Sequence, residues 1–357
     1  MTENRNRPFG TLAISHELRV RMPALDELEA AGPNAKRMRA FDPYLYHADM
    51  PLTAVYYPLG FPLELSTNSA DVLEAAEESW GSFTQKFSTP AFQLKVGVLE
   101  GESTECPAAP TFRAQRNLIV GIAGQDNFCV SDIVQGFSFA WLTGAVLSHR
   151  SYLRYHFLEA AALSHIANRH TAPIHAACVE LDGRGVLLCG ESGAGKSTLA
   201  FACARAGWTY ITDDASFLLN GRNDRQVAGN CHLVRLRPSA AGLFAEVADP
   251  PVTQRVGGKP SVELVTSTVP GIKGSVTCNV DHIVFLNRQD AKTQELTRFS
   301  KEDARRYMHQ SLCGLEELRM SQIASVETLL AAEIHEIRYH DLNWAVGRLT
   351  RLVREQE

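Results

Sequence analysis

Apolar positions in the second half of the chain fall into short, sharply bounded runs, and the bounds predict the elements. Residues 174–181 (IHAACVEL) are rich in small apolar and β-branched side chains and read as a strand. Asp182-Gly183 is a hairpin-type turn signal. Residues 185–189 (GVLLC) are wholly apolar, as expected of a strand buried on both faces. Residues 196–206 have helical composition and stop at Gly207. Residues 208–212 predict a strand, with Asp213-Asp214 directly after it. Residues 216–219 continue extended, and Asn220-Gly221 turns the chain back. Residues 281–287 (DHIVFLN) predict a buried strand and residues 301–312 a helix. In the last helix Asp341 is the cap, and Leu342, Ala345, Val346, Leu349, Leu352 and Val353 form one apolar face. Upstream, Leu153, Phe157, Ala161 and Ile166 share a face of a helix over residues 152–167. Residues 117–121 predict a strand and residues 71–80 a helix. The remainder of residues 1–115 carries short apolar stretches, such as 54–59, broken by Pro and Gly.

The chain has 357 residues, 45% of them hydrophobic, which suffices for a substantial core and about two domains. The expected division is an N-terminal α+β region over residues 1–170, acceptor-binding or regulatory, and an α/β catalytic domain over residues 171–357. The net charge of -5 carries no strongly basic field, so nucleic acid and anionic membranes are not expected partners. No apolar run reaches the length of a membrane span, and the N-terminus has no apolar signal-peptide region. The eight cysteines are scattered, with no CxxC pair and no Cys/His spacing of a zinc site. They predict reduced, buried thiols and a cytoplasmic protein.

Gly190-Glu191-Ser192-Gly193-Ala194-Gly195-Lys196-Ser197 fits the pattern G-x-x-x-x-G-K-[ST]. Glycines let successive backbone N–H groups turn inward toward phosphate oxygens. The helix that follows, with Thr198 in its first turn, adds free N–H donors and the positive end of its dipole. Lys196 supplies a mobile charge for the terminal phosphates, and Ser197 offers a hydroxyl to Mg²⁺. The pattern stands between an apolar strand and a helix, as this chemistry requires. The expected ligands are ATP, with GTP equally open because the loop reads phosphates and not bases, and Mg²⁺.

Asp213 and Asp214 are expected at the carboxyl end of the strand beside the loop's own strand, where α/β sheets bind ligands. One carboxylate there can hold a hard cation, and the other can accept a proton from an attacking hydroxyl. His175 opens the preceding strand, a position that suits a core histidine as well as a functional one. Arg235 and Arg237 alternate along an expected strand and share a face that could meet phosphate or an acidic acceptor. Gly257-Gly258-Lys259-Pro260 is a loop with one cation, which could close over a nucleotide.

His175, followed without a gap by residues 183–219 (GRGVLLCGESGAGKSTLAFACARAGWTYITDDASFLL), resembles the catalytic core of the HPr kinase/phosphorylase family and its peptide-modifying relatives. Shared features are the His before the loop, the loop G-[DE]-S-G-x-G-K-S, a helix ending in Arg-x-Gly (Arg205-Ala206-Gly207) and the Asp pair. The resemblance implies a P-loop core on a mixed sheet, related to phosphoenolpyruvate carboxykinase. It implies that Asp213 is the general base, that Asp214 and Ser197 hold the metal, and that Lys196 and His175 lie at the phosphates. It also implies a kinase acting on a serine-type hydroxyl of a peptide, protein or small molecule, and allows a homo-oligomer. Members acting on HPr carry Glu-x-Arg-Gly after the Asp pair. Here the segment is Val234-Arg235-Leu236-Arg237-Pro238, in which only Arg237 agrees, so the resemblance does not extend to HPr as acceptor. The family's C-terminal signature for phosphorolysis is absent as well. A nucleotide-binding module or switch, and an ATPase or GTPase with water as acceptor, are the alternative readings.

Overall fold

The structure is a computed structural model and describes residues 49–99, 104–254, 260–288, 293–312 and 316–355. The expected loop Gly257-Gly258-Lys259 and Cys313 lie outside the described residues.

The described chain is mixed α/β, built on three sheets. The first contains β1 (Leu52–Tyr56), β2 (Leu63–Thr67), β3 (Phe92–Leu99), β4 (Thr111–Gln115), β5 (Leu118–Ala123), β6 (Asn127–Asp132) and β7 (Phe137–Thr143), ordered β1-β2-β3-β7-β6-β5-β4. Its centre is parallel (β2, β3, β7) and its flanks are antiparallel. The helix Ala70–Trp80 is the one expected over residues 71–80, and it buries Val72, Ala75, Ala76 and Trp80.

Next come β8 (Thr171–Ile174), β9 (Ala176–Leu181), β10 (Arg184–Cys189), β11 (Thr209–Thr212), β12 (Ser216–Leu219) and β13 (Gln226–Ala228). A small antiparallel sheet follows, made of β14 (Leu233–Leu236), β15 (Val252–Gln254) and β16 (Pro260–Val265). Then β17 (Lys273–Gly274), β18 (Thr277–Asn287), β19 (Glu295–Arg298) and β20 (Glu333–Arg338) return to the second sheet. Its path is β17-β11-β9-β10-β18-β13-β12-β8, and β20 pairs with both β18 and β19.

Strand β10 alternates between two cores. Val186 and Leu188 face the helices Lys196–Arg205 and Leu342–Arg354. Leu187 and Cys189 face the helices Lys301–His309 and Glu316–Leu329. A strand covered on both sides can present no polar side chain, which is why its sequence is an unbroken apolar run. The turn Asp182-Gly183 takes left-handed φ angles of 52° and 80° and joins β9 to β10 as an antiparallel hairpin. Asp341 caps the last helix by accepting from the Trp344 N–H at 2.6 Å.

Two expectations are corrected. The Asp pair does not end a strand beside β10, because β9 lies between β10 and β11 and is antiparallel to both. The hairpin return occupies the neighbouring place in the sheet. The helix expected over residues 152–167 runs from 150 to 169 and contains a π-helical stretch, Arg154–Glu159. Its apolar face is as expected, with Leu153, Phe157, Ala161 and Ile166 all buried.

Among the described residues no helix is long and apolar enough to cross a membrane. The described cysteines are free thiols, all buried except Cys106. Burial pushes Cys129 and Cys231 up to about 11 and Cys189 up to about 12, which keeps them protonated.

Candidate functional site

Because β9 runs against β10 and β11, its first residues share an edge of the sheet with the last residues of both. That edge collects the candidate side chains. The glycine-rich loop leaves β10 at Cys189, Asp213 and Asp214 leave β11, and His175 stands in the bend just before β9.

The loop's shape follows from its glycines. Gly193 and Gly195 have φ of 95° and 99°, a region that L side chains enter only with strain. A Cβ at Gly195 would also stand 3.3 Å from both Arg288 Nη1 and the Tyr339 hydroxyl. Gly195 O accepts from Leu199 N–H at 2.9 Å and opens the helix Lys196–Arg205. The first turn of that helix therefore points its free N–H groups back into the loop. Inside the bend, the Lys196 ammonium donates to Gly190 O at 2.6 Å and Glu191 O at 3.3 Å. It lies 3.0 Å from His175 Nε2. Burial, and then the Lys196 charge, push the His175 imidazole below its usual value. A neutral ring can accept from the ammonium through Nε2 while Nδ1 faces Asp214 Oδ1 at 3.7 Å.

The two aspartates have different surroundings. Asp213 is buried, and its Oδ1 accepts from the Tyr210 hydroxyl at 3.1 Å. Its Oδ2 lies 3.3 Å from the Arg235 backbone N–H, and its carbonyl accepts from Ser197 Oγ at 3.3 Å. Asp214 is half exposed. A cavity of about 720 Å³ is lined by His175, Lys196, Ser197, Thr198 and Asp214, with Ser192, Gly193 and Gly195 on the loop side. Asp213, Gly190, Glu191 and Ala194 do not line it. Asp213 instead lines a second cavity of about 110 Å³, together with Asp214, Trp80 and Phe83. Asp214, Glu159 and Arg235 border both cavities.

Arg235 and Arg237 both line the larger cavity but differ in their partners. Arg235 lies in β14 and is paired with Glu263 at 2.9 Å and Glu159 at 3.2 Å, with its guanidinium 4.5 Å from the centre of the Tyr155 ring. Arg154 joins Glu263 at 3.3 Å, and the Tyr155 hydroxyl hydrogen-bonds to the same carboxylate. Burial pushes the Glu263 carboxyl up, but Arg235, Tyr155 and Arg154 outweigh it and hold the carboxyl below its usual range. Arg237, just past β14, is exposed and lines the larger cavity near Gly193.

Sequence reasoning missed several contributors. Tyr307 Oη lies 2.7 Å from His175 O and 2.9 Å from Gly190 O, and accepts from Gly190 N–H at 3.2 Å. It ties the start of β9 to the loop. Arg288, at the end of β18, lines the larger cavity. Tyr155 and Glu159 arrive on the π-helical stretch, whose widened turn shifts the side-chain register. A strictly helical reading of residues 152–167 does not show that shift.

A family model described as SynChlorMet cassette protein ScmC matches residues 152–232, which run from the π-containing helix past the loop and the Asp pair. That description differs from the HPr kinase name that the motif order resembles. No curated protein matches the chain. Among solved structures, the HPr(Ser) kinase/phosphatase from Coxiella burnetii is similar at 14% identity and a TM-score of 0.30, over 51% of this chain and 90% of that one.

Proposed function

We propose that this chain is a P-loop phosphotransferase of HPr-kinase-like architecture, which moves the terminal phosphoryl group of a nucleoside triphosphate to a serine-type hydroxyl. The observation that carries this reading is the meeting of Lys196, Ser197, His175 and Asp214 on one cavity, at the N-terminal end of the helix Lys196–Arg205, whose free N–H groups point into the loop. The residues fit a triphosphate. The left-handed glycines give the backbone room, and the Lys196 ammonium is held within hydrogen-bond distance of the loop's own carbonyls. They also fit a hard cation, since the Ser197 hydroxyl and the Asp214 carboxylate are oxygen donors on the same wall. Magnesium, when bound, supplies positive charge against the phosphate oxygens.

The remaining work belongs to the chain. Lys196 holds phosphate oxygens as a point charge. Neutral His175 keeps the ammonium pointed into the loop through its Nε2 contact. Arg237 and Arg288 add exposed charge at the cavity wall. Asp213 accepts the proton of the acceptor hydroxyl, which enters by the smaller cavity between Trp80, Phe83 and the Asp pair. Residues 1–170 then choose the acceptor, and residues 171–357 carry the transfer. The buried thiols fit a reducing, cytoplasmic setting.

The test is incubation of the pure chain with γ-labelled ATP or GTP, Mg²⁺ and a cell extract. Label on a new hydroxyl-bearing species is expected. Free phosphate alone would make the chain a hydrolase, and retained nucleotide with neither product would make it a binding module.

A further inference from the structure

Strands β18 and β20 pair in parallel, with His282 opposite Glu333 and Val284 opposite His335. Paired positions in a parallel ladder share a face, so His282, Glu333 and His335 form one cluster. Val284, Leu286 and Ile337 continue that face under the helix Leu342–Arg354. The cluster is separate from the glycine-rich loop, because His282 precedes Phe285, the partner of Cys189, by about 10 Å of strand.

Both imidazoles are only 6% exposed. His282 Nδ1, His282 Nε2 and His335 Nδ1 are buried with no hydrogen-bond partner among the described residues. A buried polar atom left unsatisfied is costly, because it has given up water without gaining a partner. A shared ion would satisfy one ring nitrogen of each histidine. The three side chains each offer a ligand atom, and these atoms all lie within 4.8 Å of one another. A tetrahedral ion with bonds near 2.0–2.1 Å holds its ligands ~3.3 Å apart. His282 Nδ1 and Glu333 Oε2 already stand 3.4 Å apart. The widest pair would close by at most about 1.5 Å, within reach of side-chain adjustment.

The geometry points to a divalent transition-metal site of the zinc class, formed by His282, Glu333 and His335 with a fourth position open to water. The chemistry of the ligands selects the ion. Arg298 lies 3.8 Å from Glu333, and the charges of Arg184 and Arg348 act on the histidines. That positive field disfavours a hard cation held by charge alone, whereas nitrogen donors bind zinc, cobalt or nickel by coordination. Glu333, with its side chain 47% exposed, provides the way in from solvent.

The test uses the full chain, stripped of metal and titrated with Co²⁺ in the presence of excess Mg²⁺. One equivalent should bring up the visible absorption bands of low-coordinate cobalt, and Zn²⁺ should abolish them. Glu333→Gln, a change at a half-exposed side chain, should weaken Co²⁺ binding at least ~10-fold, and His335→Gln should do the same. His175→Gln should leave the bands unchanged, because His175 belongs to the other cavity. Zn²⁺ should raise the melting temperature of the wild type more than that of Glu333→Gln. Absence of the bands, bands unaltered in Glu333→Gln, or bands lost in His175→Gln would each overturn the assignment. If His335→Gln does not fold, Glu333→Gln decides.

Discussion

The Lys196 ammonium and the Asp213 carboxylate are both buried, yet each meets a different cavity, and so removing them should damage different steps. Lys196 reaches the loop interior beside Gly190 O. Lys196→Ala should weaken triphosphate affinity at least ~10-fold, the scale of a lost hydrogen bond to a charged group. Calorimetry measures this, and unchanged affinity would remove the nucleotide reading. Asp213 faces the smaller cavity. Asp213→Asn should keep nucleotide binding and slow transfer at least ~10²-fold, the usual effect of losing a general base. Transfer at the normal rate in that variant would exclude Asp213 as the base. These residues were legible in the sequence because the loop, the helix and the Asp pair are separated by fixed local lengths. Tyr307 and Arg288 were not legible. Each belongs to an element far along the chain, and only the sheet order brings it to the loop. The His282, Glu333 and His335 cluster escaped for the same reason, since zinc sites are read from short Cys/His spacings and this one spans two strands.

At the scale of elements, the apolar pattern predicted β10, its hairpin turn and the final helix, because each is dictated by its own residues. The place of β11 was not local. A hairpin return inserted at the sheet's centre shifts the Asp pair one strand outward while keeping it on the same edge. The final helix shows how such an element supports the site. Ala345, Leu349, Leu352 and Val353 pack in the same core as Leu199 and Phe201 of the helix that opens at the loop. Leu349 is fully buried, so Leu349→Ala should lower unfolding stability by about 2–5 kcal/mol through lost burial and the cavity left behind. Urea unfolding checks this. A change under about 0.5 kcal/mol, the range of surface substitutions, would mean that the helix does not brace the loop's helix.

Across the whole molecule, two histidines at the far end of the helix over residues 150–169 tie the first sheet to the second and make stability depend on pH. His165 Nε2 lies 2.8 Å from Ser138 Oγ in β7, and its ring stacks on Phe92 at 5.0 Å. His170 stacks on Phe61 at 5.0 Å, and its carbonyl accepts from Asn220 N–H, next to β12. Burial, and then the Arg169 charge, push both imidazoles down to about 4. The sign follows from linkage. Between the unfolded value near 6.5 and the folded value near 4, the unfolded chain takes up protons that the folded chain refuses, so stability is intact above 6.5 and falls as pH drops through this window. For His165 the loss at pH 5 is on the order of 2 kcal/mol. His170 contributes less because it is more exposed to solvent. The depressed Glu263 carboxyl acts in the same direction, but only as pH falls below its ordinary value of 4.5, beneath pH 5. The urea midpoint of the wild type should therefore fall between pH 7.5 and pH 5. In His165→Gln, which keeps a polar partner for Ser138 but cannot titrate, the fall should be visibly smaller. An equal fall in both proteins would show that His165 takes up its proton in the folded state, and that the junction between the sheets is open to water.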